Sequence, residues 1–228
     1  MSRSRAVVFD LDGTLADSAP DIAAALNVAL GLRGLSPLPI TDVIAMVGHG
    51  ARRLAERALA AHGVNGDDTA TIGLVAEFET AYAAAPCVGT KLYPGVLGNL
   101  AGLRTQGWYL TVCTNKPQAL ADCVIEGLGI RGHFDAIVGA RDGVPLKPSG
   151  DMVRLALAEA DATHARAVMV GDSKADLGAG RSAGLPVILM SHGYSTLPLA
   201  ELGADAVLPS FEGLLATLDR LLPPASTR

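Results

Sequence analysis

Ala6-Val7-Val8-Phe9 is a short unbroken apolar run closed by Asp10, and three later runs repeat the pattern: Tyr109-Leu110-Thr111-Val112-Cys113, Ala167-Val168-Met169-Val170 and Pro186-Val187-Ile188-Leu189-Met190. A strand that is apolar at successive positions, rather than at every second one, must be covered on both faces. Ala136-Ile137-Val138 is a weaker example. Between these runs lie stretches of helical length and period, such as 117–128 and 151–160. Strands alternating with helices imply right-handed βαβ units. The expected fold class is therefore α/β, a doubly wound, mostly parallel sheet with a Rossmann-like core.

From Asp17 to about Tyr93 the rhythm breaks. The interval holds helix-like stretches at 21–30, 40–47, 51–61 and 69–84, punctuated by glycine and proline, and no convincing strand. It reads as a small helical domain, residues 16–92, inserted after the first strand of an α/β core formed by 1–15 and 93–228. The chain would leave near Leu15 and return near Tyr93-Pro94-Gly95 on adjacent hinge strands. The proline-rich tail from Pro223 to Arg228 is expected to fray.

Composition limits the function classes. Half the residues are hydrophobic and 18% are charged, far from a disordered chain. Eighteen Lys+Arg against 23 Asp+Glu leave a net charge of −5, which argues against nucleic acid as a partner. Three scattered cysteines without a C-x-x-C exclude a disulfide framework and a zinc ribbon, and fit a reducing compartment. The apolar run after the basic start is too short for a signal peptide or a membrane span. The expectation is a cytoplasmic protein with no membrane partner, a monomer or homodimer.

The chemistry-bearing residues fall at the carboxyl ends of the expected strands, where open parallel sheets bind ligands. Asp10-Leu11-Asp12-Gly13-Thr14 places two carboxylates two residues apart, and Gly13 permits the turn that aims both at one point. An ordinary Asp-Gly turn is the bland reading, but it leaves Asp10 unexplained at the end of a buried strand. Gly171-Asp172-Ser173-Lys174-Ala175-Asp176 repeats the arrangement; Ser173 and Asp176 have capping-box spacing, which leaves Asp172 over. Asp10 and Asp172 together make a hard oxygen site suited to Mg²⁺ rather than zinc. Thr114-Asn115-Lys116-Pro117 offers a hydroxyl and an amide at a helix start, either for phosphate or as a plain N-cap. Lys147-Pro148 is a lysine on a stiffened loop, unremarkable except for its place in this series.

Asp10-x-Asp12-Gly13-Thr14, Thr114-Asn115, Lys147-Pro148 and Gly171-Asp172-x-x-x-Asp176 resemble, in order, the four motifs of the haloacid dehalogenase-like phosphohydrolases. The chain is similar in particular to bacterial phosphoglycolate phosphatases, through Asp17-Ser18, Val47-Gly48-His49-Gly50-Ala51 and Tyr93-Pro94-Gly95-Val96. The resemblance runs from Arg5 to about Leu222. Two departures stand out. Lys147-Pro148-Ser149-Gly150 replaces the frequent Lys-Pro-x-Pro, and 139–143 lacks the Gly-Gly-Asp often found there.

The resemblance implies an enzyme acting on a small phosphorylated metabolite, most simply 2-phosphoglycolate, with Mg²⁺ as cofactor. Asp10 would be the nucleophile that forms an aspartyl-phosphate, and Asp12 the general acid and base. Asp10, the Asp12 carbonyl and Asp172 would hold the metal, with Asp176 supporting from behind. Thr114, Asn115 and Lys147 would bind the phosphoryl oxygens, Lys147 mattering more than Lys116. For the organic part of the substrate, the candidates are His49 and Arg52 on the Gly-rich loop that enters a cap helix. A β-phosphoglucomutase-like or other sugar-phosphate enzyme or pyrophosphatase is the alternative. A 2-haloacid dehalogenase would not need Asp12. A receiver-type phosphoacceptor domain would be near half this length.

Overall fold

The computed structural model describes residues 3–64 and 66–223; the tail 224–228 lies outside the described residues. Strand β1 (Arg5–Phe9) is followed by β2 (Ala16–Asp17), helices α1 (Ala19–Leu32), α2 (Ile40–Ile44), α3 (Ala51–Ala61) and α4 (Asp68–Ala84), and strand β3 (Lys91–Leu92). The chain then alternates through α5 (Val96–Thr105), β4 (Tyr109–Pro117), α6 (Gln118–Gly127), β5 (Ala136–Ala140), α7 (Asp151–Glu159), β6 (Arg166–Gly171), α8 (Lys174–Ser182) and β7 (Val187–Met190), and closes with β8 (Ala206–Leu208) and α9 (Leu214–Leu221).

Six strands form one sheet in the order β5-β4-β1-β6-β7-β8, and every pairing is parallel. Successive side chains of a strand point to opposite faces, which is why the apolar runs are continuous. On β1, Val7 and Phe9 join Leu100, Val124 and Leu214 of α5, α6 and α9 in one apolar layer. Ala6 and Val8 join Met152, Ala156 and Ala179 of α7 and α8 in the other. This is the doubly wound α/β sheet expected from the sequence. Strand β1 lies between β4 and β6, so the sheet's order changes direction here and the ends of these strands border a crevice.

Two features of the sheet escape sequence reading. Strand β8 is short, half-exposed and on the sheet edge, and its apolar run, Ala206-Val207-Leu208, is only three residues long. Strand β4 does not stop at Cys113 but continues to Pro117, with a break in register against β5 between those residues. Thr114, Asn115 and Lys116 thus ride on an irregular strand end rather than on a helix N-terminus, and α6 begins only at Gln118.

Helices α1 to α4 lie between β2 and β3, which pair antiparallel through Ala16 with Leu92 and Asp17 with Lys91. The chain therefore departs and returns side by side. Asp21, near the start of α1, secures the return by accepting hydrogen bonds from the backbone of Val88, Gly89 and Thr90 and from the Thr90 hydroxyl. The apolar interior of these helices, including Leu26, Leu30, Leu59, Leu74 and Phe78, is continuous with the α5–α6–α9 layer. Among the described residues no helix is long and apolar enough to cross a membrane.

Candidate active site

The crevice is built from the strand ends. The Asp10 amide donates to the Val170 carbonyl (2.9 Å), extending the β1–β6 ladder by one residue and fixing Asp10 beside the β6 terminus. There Asp172 follows Gly171, and Asp176 sits in the first turn of α8. Asp176 completes a capping box: Ser173 accepts from its amide while its Oδ2 accepts from the Ser173 amide (3.0 Å) and hydroxyl (2.6 Å). The capping reading and the site reading of this segment are both correct, because its Oδ1 faces the crevice and receives Lys147 Nζ at 2.7 Å. The same ammonium reaches Asp10 Oδ1 at 2.8 Å and the Cys113 carbonyl at 2.9 Å. All three of its donors are thus used, two of them on aspartates from different elements, Asp10 after β1 and Asp176 in α8.

Glycines make room for this. Gly13 has φ +82°, and a Cβ there would stand 2.6 Å from Asp172 Oδ2. At Gly171 a Cβ would lie 2.2 Å from the Asp176 carboxyl carbon, so no larger residue fits behind that side chain. Asp172 is oriented by the Thr14 hydroxyl (3.0 Å) and by the Tyr194 amide (2.7 Å).

Burial and crowding set the electrostatics. Burial, then the charge of Asp176, hold the Asp10 carboxyl well above the usual range, with Lys147 opposing. The same two causes push Asp172 up to about 7. Burial alone would depress the Lys147 ammonium, but Asp10 and Asp176 outweigh it and hold it above its ordinary value. Carboxylate oxygens of Asp10, Asp172 and Asp176 all lie within 4.8 Å of one another. A hard, oxygen-only donor set with an unrelieved excess of negative charge fits a divalent cation such as Mg²⁺. Asp176 Oδ1 is paired with the Lys147 ammonium and its Oδ2 takes three hydrogen bonds, whereas each Asp172 oxygen takes one from a neutral donor, so Asp10 and Asp172 are the side chains better placed to hold it. Lys147→Met strands two buried carboxylates and is expected to lower the stability of metal-free protein by about 3–5 kcal/mol, measured by denaturant unfolding. A loss below about 1 kcal/mol would contradict the bridging role.

Asp12 faces a different set of partners. Its Oδ1 accepts from the Ser18 hydroxyl (2.5 Å), and its two oxygens lie 3.0 and 3.1 Å from Lys116 Nζ. Lys116 in turn donates to the Tyr82 hydroxyl of α4 (2.7 Å). Thr114 is buried at the end of β4, its hydroxyl accepting from the Lys116 amide (3.2 Å). Asn115 was expected to bind substrate, but its side chain is occupied. It exchanges hydrogen bonds with the Lys147 backbone (2.9 and 3.1 Å) and donates to the Gly48 carbonyl (3.0 Å). It places Lys147 and anchors the Gly48 loop rather than reaching toward a ligand.

The family model for haloacid dehalogenase-like hydrolases matches residues 4–184. The chain belongs to the haloacid dehalogenase-like hydrolases. It is 42% identical over 205 residues to the phosphoglycolate phosphatase of Caulobacter vibrioides, covering 90% of this chain and 86% of that one. Among solved structures it is similar to a predicted phosphoglycolate phosphatase from Haemophilus somnus, with TM-score 0.84, 27% identity, and 95% and 98% of the two chains covered. It is also similar to a mutant of CbbY from Rhodobacter sphaeroides in complex with xylulose-1,5-bisphosphate, with TM-score 0.80, 27% identity, and 94% and 99% covered. As a haloacid dehalogenase-like hydrolase with these relatives, it is a phosphoric monoester hydrolase.

Within this hydrolase the structure gathers Asp10, Asp12, Thr114, Asn115, Lys147, Asp172 and Asp176 around one crevice. His49 is exposed and lines its outer mouth with Asp10, Asp172 and Ser173. Arg52 is not brought in. It is 57% exposed and pairs with Glu56 (3.1 Å) and Asp68 (2.6 Å) on the outer surface of α3. The sequence did hold that signal, since Glu56 lies four residues after Arg52 on the same helix face. Sequence reading passed over Lys116 as a partner of Asp12, and also Tyr82 and Tyr194. The Tyr194 hydroxyl accepts from the amides of Ser18 (2.8 Å) and Ala19 (2.9 Å) and donates to Asp17 (2.8 Å). It joins the Asp172 loop to the chain's exit at β2, and nothing in its surrounding sequence marks it.

Proposed function

We propose that the chain is a Mg²⁺-dependent phosphomonoesterase that hydrolyses 2-phosphoglycolate to glycolate and phosphate through a phosphorylated Asp10, the helical segment 16–92 serving as its cap. The observation that carries this reading is the separation of two neighbouring carboxylates into two environments. Asp10 lies with Lys147, Asp172 and Asp176, whereas Asp12 lies with Ser18, Lys116 and Tyr82. Carboxylates in contrasting surroundings take contrasting roles.

Asp10 forms a bond to phosphorus as the ester P–O bond breaks, and Asp12 gives its proton to the departing oxygen. Asp12 then takes a proton from the water that attacks phosphorus, which frees the Asp10 carboxylate. Lys147, its three donors spent on Asp10, Asp176 and the Cys113 carbonyl, holds Asp10 in line and sets a positive charge beside it, while the Thr114 hydroxyl serves the phosphoryl oxygens; positioning and charge neutralisation dominate such transfers. Mg²⁺, held by Asp10, Asp172 and the Asp12 carbonyl, would supply the positive charge that lets a phosphate dianion approach these aspartates. Gly48 and His49 of the helical segment close the outer side.

A panel of phosphate esters with Mg²⁺ tests the substrate: 2-phosphoglycolate, pyrophosphate, sugar phosphates and an aryl phosphate. The highest kcat/KM should fall to 2-phosphoglycolate. The second reading, a sugar-phosphate enzyme, draws on the similarity to CbbY and would be favoured by a sugar phosphate leading the panel.

The metal requirement has its own pH signature. Asp172 keeps its proton up to about pH 7, and a cation must displace that proton to bind below it. Apparent Mg²⁺ affinity is therefore expected to fall at least about tenfold per pH unit below 7, with Asp10, also held above the usual range, adding to the slope. Titration calorimetry between pH 5.5 and 8.5 reads this directly. An affinity flat across the range would remove Asp172 as a ligand, and full turnover in excess EDTA would remove the metal.

A further inference from the structure

We infer that Lys116 selects the leaving group, taking the carboxylate of 2-phosphoglycolate in a small apolar cavity beside Asp12; the inference rests on the phosphatase reading above.

Lys116 is 6% exposed, and the phosphoryl chemistry already has its buried ammonium in Lys147. Two buried lysines, one paired with Asp12 and one with Asp10, need separate reasons, because each is costly to desolvate. Lys116 faces a cavity of about 50 Å³ that opens onto Asp10 and Asp12. Its walls are mainly apolar, with Ile22, Leu54 and Phe78 from the helical segment and Leu120 from α6. Lys116 is the one cation among its described lining residues, and the Tyr82 hydroxyl beside it is the nearest neutral donor.

Size and charge both favour a short anion. One water needs about 10–15 Å³ on this measure, so the cavity admits roughly four non-hydrogen atoms. The glycolate group beyond its ester oxygen has that many: a methylene, a carbon and two carboxylate oxygens. A sugar ring would overfill the space and press hydroxyls against the apolar walls formed by Ile22, Leu54, Phe78 and Leu120. Connectivity agrees. Asp12 must stand within hydrogen-bond reach of the ester oxygen to protonate it, and Lys116 Nζ is 3.0 Å from Asp12. The carboxylate lies one methylene from that ester oxygen, so a pose that satisfies Asp12 carries the carboxylate onto Lys116 and Tyr82. Tyr82 belongs to α4, so this contact would also draw the helical segment onto the substrate.

The experiment compares kcat/KM for 2-phosphoglycolate and for 2-hydroxyethyl phosphate, similar in size but without the charge. Wild type should prefer phosphoglycolate by roughly tenfold to a hundredfold, the value of one charge-assisted hydrogen bond. In Lys116→Met the ratio should collapse to within about threefold, chiefly through a higher KM for phosphoglycolate. A variant that loses both activities by the same factor, with its ratio unchanged, would overturn the inference and leave Lys116 as a support for Asp12. Should that variant not fold, Tyr82→Phe is expected to lower the same ratio by about twofold to tenfold, and an unchanged ratio there would also overturn it. Wild type that favours neither ester would remove the phosphoglycolate reading itself, an outcome distinct from a preference that survives in the variants.

Discussion

Replacing Asp10 with Asn is expected to lower kcat by at least about 10³-fold on every phosphate ester, with the fold intact. The amide oxygen has nearly the shape of the carboxylate oxygen but is a far poorer nucleophile. It can still accept the 2.7 Å hydrogen bond that Asp10 Oδ1 takes from the Leu11 amide. Lys147 would keep Asp176 and the Cys113 carbonyl. The substitution also removes a charge that burial, Asp176 and Asp172 disfavour. The thermal midpoint of the metal-free protein should therefore hold or rise. Activity lost without stability separates a chemical role from a structural one. More than a few per cent of wild-type kcat in a metal-saturated assay would reject Asp10 as the nucleophile.

Asp12→Ala should cost about 10²–10⁴-fold on an alkyl phosphate, the usual worth of general acid–base catalysis. The loss should be much smaller on an aryl phosphate in the first chemical step, because a good leaving group departs without a proton. Rapid-quench measurement of the first turnover isolates that step from hydrolysis of the intermediate. An equal loss on both esters would mean that Asp12 acts by holding Ser18 and Lys116 in place and not by moving a proton.

The sequence by itself determined the sheet and the places where its chemistry would sit. Unbroken apolar runs such as 6–9 and 167–170 are stable only when both faces are covered, and that requirement forces helices onto both sides of a parallel sheet. Asp10 and Asp172 were legible for the same reason: a carboxylate that ends a fully buried strand is too costly to be accidental. The family's motif order then assigned Lys147 and Thr114, and in the structure Lys147 does meet Asp10 and Asp176. Strand β8 was not legible, because an edge strand without two-sided burial needs no long apolar run, and its three residues 206–208 are too short to stand out.

What only the tertiary structure decided was which polar group each side chain faces. The irregular end of β4 turns Asn115 toward the Lys147 backbone and Gly48, and brings Lys116 to Asp12, 104 positions away in the chain. Tyr82 reaches Lys116 only because α4 packs over the strand ends, and Arg52 misses the crevice because α3 presents it to Glu56 and Asp68. Period and composition mark a residue as buried or exposed, properties it holds alone. A hydrogen bond between distant segments depends on the register at which an inserted helix docks, and that register is set by the summed packing of many apolar side chains.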